Sequence, residues 1–344
     1  TLLSDDEGAR LAYLDAVRVL ARSLRRVEVR RPRRPFLVLV AAGSLDAEDV
    51  RALQADGLTP WELPSFGSEG VAVAQLRAAA SGGELSWWLK IRLWGLTQFR
   101  RIVYLDADML VHRTIEELFE LPAAVALAAP LRVQRTGDEI SLGLLSLRPN
   151  RTVCDAMVAE LTPWARTAAA AGEMPRSVDQ AFQHDFLSRN FHIFGAPNWD
   201  ESGAFAGCGA QSFALSQGHA AAAFPLGSVC LLPARYELVA THPRLYQART
   251  GRGGLSALAT QFALPDEELP DACGAGPECE EAWTARLRSK VLHWTGPRRK
   301  PWMHTLPVAQ TVFDELWWRE HRGLCEDLAV VGAACVLRHC TGHG

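Results

Sequence analysis

Apolar residues at Leu11, Leu14, Val17, Leu20 and Leu24 recur every three or four positions, and this spacing predicts a helix with one buried face. The next apolar run, FLVLV from Phe36 to Val40, is short and continuous, as in a strand covered on both faces. LDAEDVRALQADG reads as a second helix closed by Gly57, ELSWWLKIRLWGLTQF as a third, and RIVYL as the strand it leads into. Strand and helix therefore alternate through the first 110 residues, which predicts an α/β fold with a mostly parallel sheet and helices on both faces. Beyond TIEELFEL the pattern gives a strand, LGLLSLRP from Leu142 to Pro149, a helix around RTVCDAMVAELTPWA and a short helix SVDQAFQHDFL opened by Ser177. From about His242 to Glu281 glycine, proline and acids dominate, and an excursion from the sheet is expected there. Pattern returns at SKVLHWTGPRRKPW, and amphipathic TVFDELWWREH with LAVVGAACVL ends the chain. No internal repeat is visible.

With 344 residues, 48% of them hydrophobic and 22% charged, the chain can bury a large core as one big domain or two, and fibrous and disordered classes are excluded. A net charge of -3 gives no general reason to expect a nucleic-acid partner. The basic run RRVEVRRPRRP, Arg25 to Pro35, is local; it reads as a solvated turn between helix and strand, with an anion or membrane-surface contact as the alternative. No run of eighteen apolar residues exists to span a bilayer. The opening TLLSDD reads as the end of a strand, so a signal, an anchor or another domain is expected before Thr1. The eight cysteines are scattered without zinc-type pairing. Cys273 and Cys279 could close a small disulfide in an oxidising compartment, and free thiols in a cytosolic protein are the alternative.

The stretch RRIVYLDADMLVHRT ends a buried strand in two carboxylates, Asp106 and Asp108. An unpaired carboxylate beside a core is costly, so a cation or a set of donors is implied. Ligands of open α/β sheets bind beyond the carboxyl ends of strands, where this pair falls. Hard divalent cations prefer oxygen and manganese also accepts imidazole, which makes His293 in VLHW the candidate third ligand. Taken alone His293 also fits a hydrogen-bonded core histidine. In HWTGPRRKPW the same loop adds Gly296, where backbone could approach a ligand closely, and Lys300, a cation suited to phosphate.

WLKIRLWGLTQFRRIVYLDADMLVHRTIEELFEL together with HWTGPRRKPW resembles glycosyltransferase family 8, the glycogenin and galactinol synthase-like enzymes. TLLSDD, SLGLLSLRPN, VDQAF and LPARYEL follow in the family's order, and the resemblance covers most of residues 1 to 240 and 288 to 303. It implies a Rossmann-like GT-A fold, a UDP-sugar donor, a hydroxyl-bearing or glycan acceptor, a manganese or other divalent ion, and retention of configuration at the transferred sugar. By matching position, Asp106, Asp108 and His293 would hold the metal. Leu2, Ser4, Tyr13, Lys90, Asp106, Ala107, Asp108, Ser141, Gly143, Gly296 and Lys300 would line the nucleotide and donor. Tyr13 matches a tyrosine that stacks on uracil, with a core aromatic on the helix face as the alternative. Asp179 and Gln180 match the catalytic Asp-Gln pair beside the donor sugar. There Asp179 would orient hydroxyls and stabilise positive charge, or form a covalent sugar intermediate; a plain helix N-terminal acid is the structural alternative. Ser141-Leu142-Gly143 stands where the family has Asn-Ser-Gly, and Glu237 where it often has Asn, which leaves the sugar open. Tyr246 lacks the flanks of glycogenin's self-glucosylated position.

These readings divide the chain into a glycosyltransferase domain at 1–303 and a C-terminal helical extension at 304–344. Within the domain a nucleotide half covers about 1–120, a donor-sugar and acceptor half about 121–303, and an irregular insertion about 242–285. A catalytically degenerate nucleotide- or glycan-binding module is the alternative of another class, and a DxD phosphatase a more distant one. A Golgi or secretory lumen is expected ahead of the cytoplasm, and a homodimer is allowed. With no metal bound, mutual repulsion of the two carboxylates predicts that Asp108→Asn slightly stabilises the protein.

Overall fold

A computed structural model describes residues 7–63, 88–134, 137–171, 178–194, 197–199, 205–209, 226–233, 236–239, 289–295, 300–303 and 312–330. Leu2, Ser4, Ser177, Gly296, the 242–285 insertion and the Cys273–Cys279 pair lie outside the described residues. The helices are α1 (Glu7–Val27), α2 (Ala47–Ala55), α3 (Arg151–Ala171), α4 (Val178–Asn190) and α5 (Val312–Val330). The strands up to the middle of the chain are β1 (Leu37–Ala41), β2 (Thr59–Leu63), β3 (Ile102–Leu105), β4 (Met109–Val111), β5 (Val125–Gln134), β6 (Gly137–Ile140) and β7 (Leu144–Leu147). They are followed by β8 (His192–Phe194), β9 (Pro197–Trp199), β10 (Phe205–Cys208), β11 (Ser228–Leu232), β12 (Leu238–Val239) and β13 (Val291–His293). The chain divides into two compact units, and both Asp106 and Pro233 end stretches that belong to the first.

The first unit comprises Thr1–Arg10, Leu37–Asp106 and Ile115–Pro233. Its main sheet runs β3-β7-β5-β11-β8 with β6 beside β5, and β1 pairs with β2 separately. The α/β class is as the pattern predicts, and the sheet is mixed: β11 runs parallel to β5 and β8, while β7 runs antiparallel to β3 and β5. All four residues of β7 are buried, as expected of a strand covered on both faces. Around it pack Trp88, Ile91, Trp94, Tyr104, Met157, Phe182 and Phe186. The predicted helix over ELSWWLKIRLWGLTQF is, where described, a 3₁₀ helix at Leu89–Gly95. Its residues Leu89, Lys90, Ile91, Leu93 and Trp94 are all buried, so it is an embedded connector without the polar side of a surface helix. α2 follows the sequence reading. The Asp46 carboxylate accepts from the backbone N–H groups of Glu48 and Asp49 at 2.8 Å each, and Gly57 at φ 66° closes the helix. Cys208 at the end of β10 is disulfide-bonded to Cys230 in β11, a pairing that residue spacing did not reveal.

The second unit comprises Leu11–Phe36, Ala107–Thr114 and Ala234–Gly344. Its three-stranded sheet is β12-β13-β4, parallel between β12 and β13 and antiparallel between β13 and β4. The apolar stripe of α1 is buried at Leu14, Val17 and Leu20, as its spacing predicts. α5 is tied back to the sheet by the indole N–H of Trp294, which donates to Asp314 at 2.7 Å, and by Trp317, whose ring lies 5.3 Å from Trp302. Within the basic run Arg26 pairs with Glu320 of α5 at 3.0 Å and Arg34 lies 3.8 Å from Glu28, while Arg30, Arg31 and Arg33 are exposed. Arg22 reaches buried Glu320 at 2.6 Å and Asp327 at 2.9 Å, so α1 and α5 share one ion network. No helix among the described residues is long and apolar enough to cross a membrane.

Gly323 sits where α5 passes this network, and a Cβ there would meet Arg22 Nη2 at 2.5 Å. Glycine to alanine inside a helix ordinarily stabilises by about 0.5–1 kcal/mol. Here the new methyl displaces the guanidinium from Glu320, so Gly323→Ala is expected to lower the melting temperature. In an Arg22→Ala background the same change should raise it; a stabilising Gly323→Ala in the wild-type background contradicts this packing.

Candidate metal and donor site

In the second unit the site is built on the β4–β13 pairing. His293 lies opposite Met109, and the N–H of Trp294 donates to the carbonyl of Asp108 at 3.0 Å, which continues the ladder past both strand ends. β12 sets Val239 against His293, and Glu237 stands immediately before that strand. Asp108, Glu237, His293 and Lys300 are all less than one-tenth exposed. The Lys300 ammonium donates to Asp108 Oδ2 and to the carbonyl of Trp294. His293 Nε2 lies 3.2 Å from Asp108 Oδ1, and His293 Nδ1 lies 2.6 Å from Glu237 Oε1.

Burial opposes the charge on Asp108, but Lys300 and His293 outweigh it and hold the carboxyl far below the usual carboxylate range. Burial also opposes charge on His293, yet Asp108 and Glu237 raise the ring to about 9. A carboxylate accepts only, so Glu237 places a proton on Nδ1 of His293. With a neutral ring, Nε2 and Asp108 Oδ1 would be two acceptors facing one another across 3.2 Å. Asp108 Oδ1 is buried and takes no hydrogen bond of good geometry. That arrangement calls for a positive species between the two atoms, a proton in the metal-free protein or a cation. The donor set, a carboxylate and an imidazole whose other nitrogen is held by a carboxylate, fits a divalent ion that accepts oxygen and nitrogen.

The expected stabilisation by Asp108→Asn is overturned. Like-charge repulsion does not dominate at Asp108, because a buried ammonium and a raised imidazole already balance it.

In the first unit Asp106 receives the hydroxyl of Tyr104 at 2.6 Å and pairs with Lys90 at 2.8 Å. The backbone N–H of Asp106 donates to the carbonyl of Gly143 at 2.8 Å, and the Gly143 N–H in turn reaches Ser141 Oγ at 3.4 Å. The Ser141-Leu142-Gly143 segment thus abuts Asp106, with the serine hydroxyl turned onto its own loop. Asp179 is buried in the first turn of α4; burial pushes its carboxyl up, and the nearby Lys90 ammonium partly offsets that. Gln180 beside it is half-buried. Lys90, Asp106, Ser141, Gly143 and Asp179 are therefore brought together in this unit, as Asp108, His293 and Lys300 are in the other. The chain passes from one group to the other at Asp106–Ala107. Tyr13 is half-buried and meets the Trp302 ring edge-on at 5.6 Å. Sequence reasoning tied Glu237 to the sugar, and the structure puts it on His293 instead.

Known proteins bear on these groups. No family model matches the chain. It is 32% identical to Glycogenin of Neurospora crassa over 148 residues, 43% of this chain and 20% of the relative. It is 29% identical to Inositol phosphorylceramide glucuronosyltransferase 1 of Arabidopsis thaliana over 126 residues, 35% of this chain and 19% of the relative. The aligned stretches thus span about a fifth of these curated relatives. Among solved structures, the galactosyltransferase LgtC in complex with donor and acceptor sugar analogs matches with a TM-score of 0.51 at 13% identity, covering 92% of this chain and 96% of that one. Over the aligned stretches the sequence is similar to a glycogenin and to a glucuronosyltransferase. The fold of the chain is that of the GT-A glycosyltransferases. The glycosyltransferase GlyE of Streptococcus pneumoniae also matches, with a TM-score of 0.50 at 14% identity over 94% of this chain and 63% of that one.

Two outcomes are expected of this site in chelator-treated protein. Asp108→Asn leaves the buried Lys300 ammonium without its carboxylate and should cost about 3–5 kcal/mol in denaturant unfolding; an unchanged or raised stability contradicts the pairing. His293 has a folded-state pKa of about 9, above its unfolded 6.5, so its contribution is complete below 6.5 and lost as pH rises through 9. The melting temperature of the wild type should therefore fall more steeply from pH 6.5 to pH 9.5 than that of His293→Gln, and parallel curves would contradict the coupling.

Proposed function

We propose that the chain is a retaining glycosyltransferase that moves a sugar from a UDP-sugar to a hydroxyl of a glycan or other acceptor, with manganese or another divalent ion. The observation that carries this reading is the approach of Asp108 Oδ1 to His293 Nε2 at 3.2 Å, with Nδ1 of the same ring engaged by Glu237. The family-8-like sequence supports it, and so does the GT-A fold. Asp106, Asp108 and His293 are the residues that would hold the ion. When bound, such an ion supplies Lewis-acid neutralisation of the diphosphate that leaves the sugar.

The chain's own residues supply the rest. Lys300, which lies on Asp108 in the metal-free protein, is the ammonium that would turn to the leaving phosphate, where negative charge grows as the glycosidic bond lengthens. Lys90 holds Asp106 in place through a 2.8 Å pair. Asp179, buried at the start of α4, orients donor hydroxyls and lowers the energy of positive charge developing at the sugar. An acceptor hydroxyl approaching the face that the diphosphate leaves would give its proton to that phosphate, so configuration is kept without a further protein base. A binding module without turnover is the second reading, favoured by Ser141, whose hydroxyl takes the Gly143 N–H and offers no amide to a sugar. The Cys208–Cys230 disulfide supports a secretory lumen as the compartment.

A screen of UDP-sugars is expected to find one that the protein hydrolyses slowly with manganese and not with chelator. Asp106→Asn and His293→Ala should reduce that rate by at least about a hundredfold. Binding of UDP with manganese but no hydrolysis of any donor would select the module, and a failure of millimolar UDP with manganese to raise the melting temperature of folded protein would remove the nucleotide site altogether.

A further inference from the structure

The imidazole of His293 is useful to a cation only if its Nε2 lone pair is kept free and aimed. A neutral histidine has two tautomers of similar energy, and a hydrogen bond at one nitrogen decides which is populated. In this chain that bond is made by a carboxylate. Glu237 Oε1 lies 2.6 Å from Nδ1, and both side chains are buried, at 2% exposure for Glu237 and 7% for His293, so water does not compete for either. The backbone makes the contact permanent: β12 begins at Leu238, pairs parallel with β13, and sets Val239 opposite His293, which leaves Glu237 at the strand entry with its side chain on the ring. The Lys290 ammonium lies 5.2 Å from the ring centre of Tyr236, the residue before Glu237.

We propose that Glu237 is a positioning residue for the cation site: it fixes His293 as the Nδ1–H tautomer and turns Nε2 towards Asp108. This deepens the proposed function and rests on it. The carboxylate does more than a neutral acceptor in its place would, because a charged partner both holds the N–H more tightly and makes the opposite nitrogen a stronger donor to a metal. Glu237 touches neither donor nor diphosphate in this account, so its loss should act through affinity for the ion and not through recognition of the sugar.

The test measures binding of manganese alone to the full chain, followed by the electron paramagnetic resonance signal of the free ion, in wild type, Glu237→Gln and Glu237→Ala. The amide of Glu237→Gln can still accept from Nδ1 but carries no charge, so a loss of a few-fold is expected; Glu237→Ala should lose about 10–100-fold. A second readout reports the ring itself: nitrogen–proton correlation spectra of the magnesium-loaded wild type should show His293 protonated at Nδ1 only, and Glu237→Ala should lose that signature. Thermal melts in chelator identify any variant that fails to fold, and Glu237→Gln, nearly the same size as the native side chain, then carries the comparison. Wild type that binds no divalent ion would overturn the proposed function. Wild type that binds manganese while Glu237→Ala binds it equally, or keeps the Nδ1–H signature, would overturn the role of Glu237 and leave the cation site standing.

Discussion

A buried carboxylate organises the second unit. Asp108 lies at the mouth of a two-stranded pairing that excludes water, and a charge in such a place is tolerable only if the protein answers it. The answer comes from two residues distant from Asp108 in sequence, Lys300 and His293, and the second of these is itself held by Glu237. The demand is also met in the backbone: the N–H of Trp294 closes on the carbonyl of Asp108, and the Trp294 side chain anchors α5 through Asp314. Asp108 thus joins β4 to β13 and the Lys300 segment through its side chain and backbone carbonyl, and Trp294 extends the link to α5.

The same balance bears on the proposed cation site. Asp108 is neutralised by a lysine and by an imidazole raised to about 9, and both of those charges can yield to a stronger one. In the proposed reading Asp108 and His293 would hold a divalent ion together with Asp106, and Lys300 could turn from Asp108 to a diphosphate. In the first unit Lys90 plays the corresponding part for Asp106, and it also moderates the burial of Asp179. Asp106 and Asp108 are therefore each matched to a lysine, which is what electrostatic preorganisation requires.

Much of this was legible in the sequence because it is written in local pattern. The stripe of α1, the capped and glycine-closed α2, the apolar β7 and the acids at the end of β3 all declare themselves within a dozen residues. Asp106, Asp108, His293 and Lys300 were legible as a set because two motifs of a known family carry them. Features that depend on pairing across long separations were not legible. The antiparallel placement of β7 between β3 and β5 and the Cys208–Cys230 bond have no signature in spacing. The partner of Glu237 could not be read either, since its role follows from β12 lying beside β13, and the 3₁₀ helix at Leu89–Gly95 kept a helical composition while its surroundings buried it. Repulsion between Asp106 and Asp108 looked dominant only while Lys90 and Lys300 were unplaced.

The most direct test of the account is anomalous diffraction at the manganese edge from crystals grown with the ion and UDP. The account predicts one strong peak between Asp108 Oδ1 and His293 Nε2, with Asp106 as a further ligand and Lys300 moved from Asp108 to a phosphate oxygen. An ordered UDP with no peak there, and Lys300 still on Asp108, would contradict it.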